Sequence, residues 1–216
     1  MDMRSVRIWD LPTRIFHWLL VVCVAGMVIT AKADDLLHWH VRLGVVTLSL
    51  VVFRLIWGRV GGHWSRFAHF MPSASTLAAY IRGTHTPAAG HNPLGALSVL
   101  GILLLLLLQV VCGLMIQNDD AGFTGPLYAW VPNAVSDAAQ RYHDGVGQPL
   151  LYAWGLLHVG AIAWHLRKRD RFIVRAMFSG DQVADATVAP SHDSGASRLL
   201  ALAIWLALLV AVWQLV

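Results

Sequence analysis

Charge is what this chain lacks. Of its 216 residues only 13% are Asp, Glu, Lys or Arg, while 57% are hydrophobic. An ordinary soluble domain carries about 25% charged residues. Half that amount cannot cover a water-facing surface, which excludes a soluble globular enzyme and a disordered chain. Nucleic-acid binding is excluded with them, despite a net charge of +4. Glutamate is missing altogether, so all twelve acids are Asp. Cysteine is nearly missing: Cys23 and Cys112 stand alone in separate apolar runs. With no CxxC and no CxxCH, a redox dithiol, a thiolate metal site and covalent c-type haem attachment are disfavoured. There is no internal repeat. Against this apolar background stand eleven histidines.

Apolar runs at about 15–31, 41–57, 94–116, 149–166 and 199–216 each approach the ~20 residues that cross a bilayer as a helix. Five transmembrane helices are expected, and membrane lipid is the surrounding medium. With the N-terminus inside, the inner segments hold thirteen bases: Arg4, Arg7, Arg14, Arg54, Arg59, Arg66, Arg82, Arg167, Lys168, Arg169, Arg171, Arg175 and Arg198. The outer segments hold three, Lys32, Arg42 and Arg141, beside Asp34, Asp35, Asp119, Asp120, Asp137 and Asp144. The division, about +7 against −3, sets the N-terminus in the cytoplasm by the positive-inside rule. Ala31-Lys32-Ala33 imitates a signal-peptide cleavage site, but Phe16-His17-Trp18 interrupts the aliphatic run a signal needs. Between the spans, Ser73 or Ser75 is expected to cap a short amphipathic helix through Leu77, Tyr80 and Ile81. Residues 181–198 are small and polar and read as a flexible linker.

A histidine at membrane depth is a functional residue by default. His17 falls in the inner half of the first span and His158 in the inner half of the fourth. His40 opens the second span on the outer side, and His143 precedes the fourth on the same side. Depth therefore pairs His17 with His158 and His40 with His143, one pair per leaflet. Zinc would need further ligands at each depth. A haem iron needs two axial ligands and buries a flat apolar macrocycle between helices. Gly44 and Gly155 share a helix face with His40 and His158 and leave room for such a ring. His38 is the rival of His40, about 200° away round the helix, and the register with Gly44 favours His40. His165 shares a face with His158, and His91 stands at the entrance to the third span. Arg14, Arg54 and Arg42 fall where a guanidinium pairs with a haem propionate or snorkels to the interface.

The residues carry a resemblance. Trp9-Asp10-Leu11-Pro12-Thr13-Arg14 with Phe16-His17-Trp18, His40 with Gly44, and Phe53-Arg54-Leu55-Ile56-Trp57-Gly58 are its first landmarks. Gly90-His91-Asn92-Pro93-Leu94-Gly95-Ala96, Gln109 to Leu114, Asp119-Asp120, Gly125-Pro126-Leu127, His143, Leu157-His158 and Arg175-Ala176-Met177 complete it. Over about residues 6–180 the chain resembles bacterial cytochrome b561, in the branch related to the cytochrome b subunit of nickel–iron hydrogenases. The resemblance implies an all-α, four-helix transmembrane bundle over 1–180 holding two haem b groups. It implies His17 and His158 as ligands of the cytoplasmic-side haem, and His40 and His143 as ligands of the periplasmic-side haem. It also implies electron transfer between quinone and a partner: hydrogenase, a c-type cytochrome or, in one branch, superoxide. The acidic outer side argues against superoxide. Two features depart from the family. Fifteen residues separate His143 from His158 instead of fourteen, with Gly145, Gly147 and Pro149 between them to absorb the extra one in a kink or bulge. A fifth helix, 199–216, is added for packing against a partner or a second copy in a homodimer, or as an anchor.

Overall fold

The computed structural model describes residues 2–85, 89–119, 122–167 and 172–215. Asp120, Lys168, Arg169 and Arg171, which contribute to the charge division, lie outside them. In chain order the elements are β1 (Met3–Arg7), α1 (Leu11–Thr30), α2 (Leu37–Val60), α3 (Phe67–Phe70), α4 (Ala74–Ile81) and α5 (Pro93–Gly113). After these come β2 (Gln117–Asn118), β3 (Phe123–Thr124), α6 (Asn133–Gln140), a π-helical stretch (Arg141–Gly147), α7 (Gln148–Arg167), α8 (Phe172–Ser179), β4 (Asp181–Asp185) and α9 (Gly195–Trp213). Among the described residues five helical segments are long and apolar enough to cross a membrane: Leu11–Thr30, Leu37–Val60, Pro93–Gly113, Asn133–Arg167 and Gly195–Trp213. The protein is a helical, multi-pass membrane protein.

Polar side chains start the helices. Asp10 Oδ1 accepts the Thr13 amide at 2.9 Å, Ser73 Oγ that of Thr76 at 3.1 Å, Asn92 Oδ1 that of Gly95 at 2.7 Å and Ser194 Oγ that of Ser197 at 3.2 Å. Each satisfies a first-turn N–H that has no carbonyl partner within the helix. Pro12 and Pro93 stand in first turns, where a missing N–H costs nothing. The Ser73-capped amphipathic helix expected from the sequence is α4.

The chain divides into two compact units. The first comprises 1–17, 53–101 and 159–204, and the second 18–52, 102–158 and 205–216. Among the described residues, the ten bases assigned to the inner face fall in the first unit, and the three assigned to the outer face fall in the second.

In the first unit β1 pairs antiparallel with β4, Met3 opposite Asp185 and Arg7 opposite Asp181. Val6, Ile8, Trp9, Ala176 and Ala184 form a buried core beneath them. The segment beyond β4 is held as well. Ser191 Oγ donates to Ile8 O at 2.6 Å and accepts the Trp64 amide, and Trp64 Nε1 donates to Ala189 O at 2.8 Å. The Asp193 carboxylate joins Arg7 Nη1 (2.9 Å), Arg198 Nε (2.9 Å) and the Leu11 amide (3.2 Å). Residues 181–194 are therefore a bound strap and 195–198 the first turn of α9, rather than the flexible linker expected over 181–198 from its small, polar composition. Pairing with a strand some 180 residues away supplies the order that local sequence does not.

In the second unit Leu48, Val110 and Leu114 form a core packed by Val52, Leu107, Leu127, Val212 and Leu215. Trp205 Nε1 donates to Ser49 Oγ at 3.2 Å. The end of α9 thus belongs to this core. The fourth span begins earlier than expected, because α6 and the π-helical stretch run on into α7.

Candidate functional site

The second unit gathers two histidines from distant parts of the chain. His40 stands in the first turn of α2 and His143 in the π-helical stretch, and their ring centroids are 6.3 Å apart with planes at 81°. Each ring is pinned through Nδ1. His40 Nδ1 meets Met27 O at 3.1 Å and Thr30 Oγ1 at 3.4 Å, and His143 Nδ1 meets Gln109 O at 2.9 Å. A carbonyl oxygen can only accept, so both Nδ1 atoms carry the proton and both Nε2 atoms present a lone pair. This is how metal-ligating imidazoles are oriented. A cavity of about 310 Å³ opens at the pair, lined by Val24, Val41, Gly44, Leu106, Val110 and Leu151 among others, with Thr30, Gln109, Asn118, Asp144, Gln148 and Tyr152 as further polar members. A methyl at Gly113 would approach His143 Cε1 to 2.8 Å, whereas one at Gly44 would meet nothing within 4 Å. Gly113 makes room for the ligand ring, and Gly44 adds open space at the cavity.

The prokaryotic cytochrome b561 family matches residues 8–180. The chain belongs to that family. Among curated proteins it is 22% identical to the probable Ni/Fe-hydrogenase 1 B-type cytochrome subunit of Escherichia coli (strain K12), over 54% of this chain. It spans only 62% of that relative's length. It is 22% identical to the probable Ni/Fe-hydrogenase B-type cytochrome subunit of Bradyrhizobium diazoefficiens over 82% of this chain and 86% of the relative. The corresponding subunit of Rhizobium leguminosarum bv. viciae is 23% identical over 84% and 90%. No solved structure matches the chain.

A b-type cytochrome takes haem b, and the site can be tested against that group. Among the described residues no cluster of three or more His, Cys, Asp or Glu side chains could hold a bare metal ion. Two imidazoles suit a metal that brings its own equatorial ligands, as haem iron does. Imidazoles on opposite sides of one metal, each with nitrogen at about 2.0 Å, would have ring centroids about 6.3 Å apart. The observed separation is 6.3 Å. The residues fit the group.

Other residues singled out by sequence divide between the units. His38 is exposed beside Trp39, 5.5 Å between ring centroids, and takes no part in the His40–His143 pair. His17 on α1 falls in the first unit and His158 on α7 in the second. Gly155 leaves its surroundings open, with nothing within 4 Å of a methyl built there. Arg14 Nη1 donates to Phe178 O. Arg54 is 2% exposed, its guanidinium stacked 4.8 Å over the Phe67 ring, and its Nη1 has no hydrogen-bond partner among the described residues. His91, in the same unit, lies 4.5 Å from Trp9 and 4.6 Å from Phe70 between ring centroids, with Nδ1 enclosed and without a hydrogen-bond partner among the described residues. Burial, then the Arg54 charge, push its pKa down to about 3.

Sequence reasoning missed two residues. Asp10 is fully buried: its Oδ2 accepts from Trp57 Nε1 (3.1 Å), the Gly62 amide (3.1 Å) and Ser65 Oγ (2.7 Å). Gln109 entered only as a family landmark, though an amide inside a leucine-rich span is signal enough to ask for its partner.

Proposed function

We propose that this protein is a di-haem b-type cytochrome that passes electrons across the cytoplasmic membrane between the quinone pool and a redox partner. The observation that carries the reading is the His40–His143 pair, two imidazoles pinned through Nδ1 to backbone carbonyls with ring centroids 6.3 Å apart. His40 and His143 hold the outer haem, and His17 and His158 the inner one. Gly44 and Gly155 leave the macrocycles room, and the enclosed, unpartnered Arg54 Nη1 together with Arg14 receives propionate carboxylates. When bound, haem b supplies a one-electron iron couple. The chain's own part is to fix both imidazoles in one tautomer, pack aliphatic side chains such as Val24, Leu106 and Leu151 about the group, and set the ligand field through the carbonyls of Met27 and Gln109. The relatives' names point to a Ni/Fe-hydrogenase as partner, with a periplasmic c-type cytochrome as the other candidate. The distribution of bases supports a cytoplasmic N-terminus.

A pyridine haemochrome assay on the purified chain should give about two b haems. His40→Ala or His143→Ala should remove one and leave the other, as should His17→Ala or His158→Ala. One haem or none in the unaltered protein refutes the reading. So does loss of both haems from every single variant.

A further inference from the structure

Gln109 holds His143 twice. Its backbone carbonyl accepts the ring Nδ1–H at 2.9 Å, and its side-chain Nε2 donates to the His143 carbonyl at 2.9 Å. That carbonyl lies in the π-helical stretch, where one residue more than an α-turn is enclosed and the regular bonding pattern is broken. The ring and the backbone that carries it are thus tied to a single residue on a separate helix. The tie needs space, and glycine provides it. A methyl at Gly147 would overlap Gln109 Oε1 and approach Tyr142 Cε1 to 2.7 Å. Gln109 Oε1 is itself enclosed and has no hydrogen-bond partner among the described residues. An amide kept in an apolar helix with half its bonding capacity unmet costs free energy, so its place is explained by what the other half does.

We propose that Gln109, seated by Gly147, is the positioning residue that sets the orientation of the His143 imidazole about the iron. The inference rests on His143 being a haem ligand. Ligand-plane orientation is readable: the electron paramagnetic resonance g-values of a low-spin ferric haem with two imidazoles depend on the angle between their planes, here 81°. Gln109→Met keeps the volume and removes the donor. Gly147→Ala leaves Gln109 in place and displaces its amide.

In the full chain in detergent, the unaltered protein should show two low-spin signals, one strongly anisotropic as near-perpendicular planes require. Gln109→Met should shift that signal and the midpoint potential of one haem, with both haems retained. Gly147→Ala should give a shift of the same sign. The double variant should shift no further than either alone, because both changes break one interaction. Unchanged signal and potential in both variants, with two haems in the unaltered protein, overturn the inference alone. Equal shifts of both haems, or loss of both, overturn it too, because the tie is local to His143. Fewer than two haems in the unaltered protein overturn the di-haem reading and this inference with it.

Discussion

Asp10 is the residue whose change should cost the fold most for the least alteration in shape. Asp10→Asn replaces one oxygen by NH₂. If the remaining oxygen faces the Thr13 amide, the helix cap survives, since Asn caps as well as Asp. The new NH₂ then faces Trp57 Nε1–H and the Gly62 amide, both rigid donors at 3.1 Å, while the Ser65 hydroxyl can rotate away. Each buried donor left unpaired costs about 1–3 kcal/mol. Flipping the amide saves those two bonds but sets NH₂ against the Thr13 amide. In either orientation the buried Arg54 guanidinium loses the nearby negative charge. Breaking a buried charge arrangement from one side typically costs about 3–5 kcal/mol, and that is the expected loss here. Ser65→Ala removes one hydroxyl from the same cluster and should cost about 1 kcal/mol. Unfolding in graded sodium dodecyl sulfate, monitored by tryptophan fluorescence, would measure both. An Asp10→Asn loss no larger than that of Ser65→Ala would refute the argument that this carboxylate organises the first unit.

Two other perturbations test the same unit. His91 is neutral in the fold, with its pKa pushed down to about 3, whereas in the unfolded chain it takes up a proton near pH 6.5. Between these values the unfolded state binds the extra proton, so stability falls as pH falls, by up to about 1.4 kcal/mol per unit. His91→Phe should keep the contacts with Trp9 and Phe70 and lose that dependence between about pH 6.5 and 4; an unaltered slope would count against it. Asp193→Ala should release the strap by breaking its links to Arg7, Arg198 and the Leu11 amide. Limited proteolysis within 186–194 should then speed up about tenfold or more, the factor that about 1.4 kcal/mol of lost local stability gives. Unchanged cleavage would mean the strand pairing suffices alone.

How far the sequence reveals the molecule depends on the range of the interaction. The spans were legible because an apolar run of membrane length is a local signal, and so was the Ser73 cap. The preference for His40 over His38 rested on register with Gly44, and the structure turns His40 toward His143 while His38 is exposed. The β1–β4 ladder and the links of Asp193 to Arg7 and Leu11 were invisible: their partners lie 174–186 residues apart and their composition resembles any polar linker. The start of the fourth helical segment was hidden differently. Ser136, Asp137, Gln140, Arg141 and Asp144 dilute the hydropathy of residues that are nonetheless helical. The Nδ1 partners of the two histidines are backbone carbonyls, which every residue owns, so no side-chain motif announces them.

The fifteen-residue interval between His143 and His158 ties the helix geometry to the site. Each residue turns an α-helix by about 100° and advances it by about 1.5 Å. One residue beyond the fourteen that the resemblance implies would therefore swing His143 through about 100° relative to His158 if the helix were regular. It is not regular: Arg141–Gly147 is π-helical, and a wider turn takes in one residue without rotating the helix on either side of it. Pro149 favours the irregularity, since it has no N–H to offer the carbonyl of Gly145. Deleting Gly145 should let the stretch relax to α-helix and leave His143 on its original face, with two haems retained. Deleting Ala153, in the regular part of α7, shortens the interval equally but leaves the π-turn in place, so His143 should rotate by about 100° and the outer haem should be lost. Haem content of the two purified variants decides the matter. Equal loss of the outer haem from both would show that the π-helical stretch does not compensate for the extra residue.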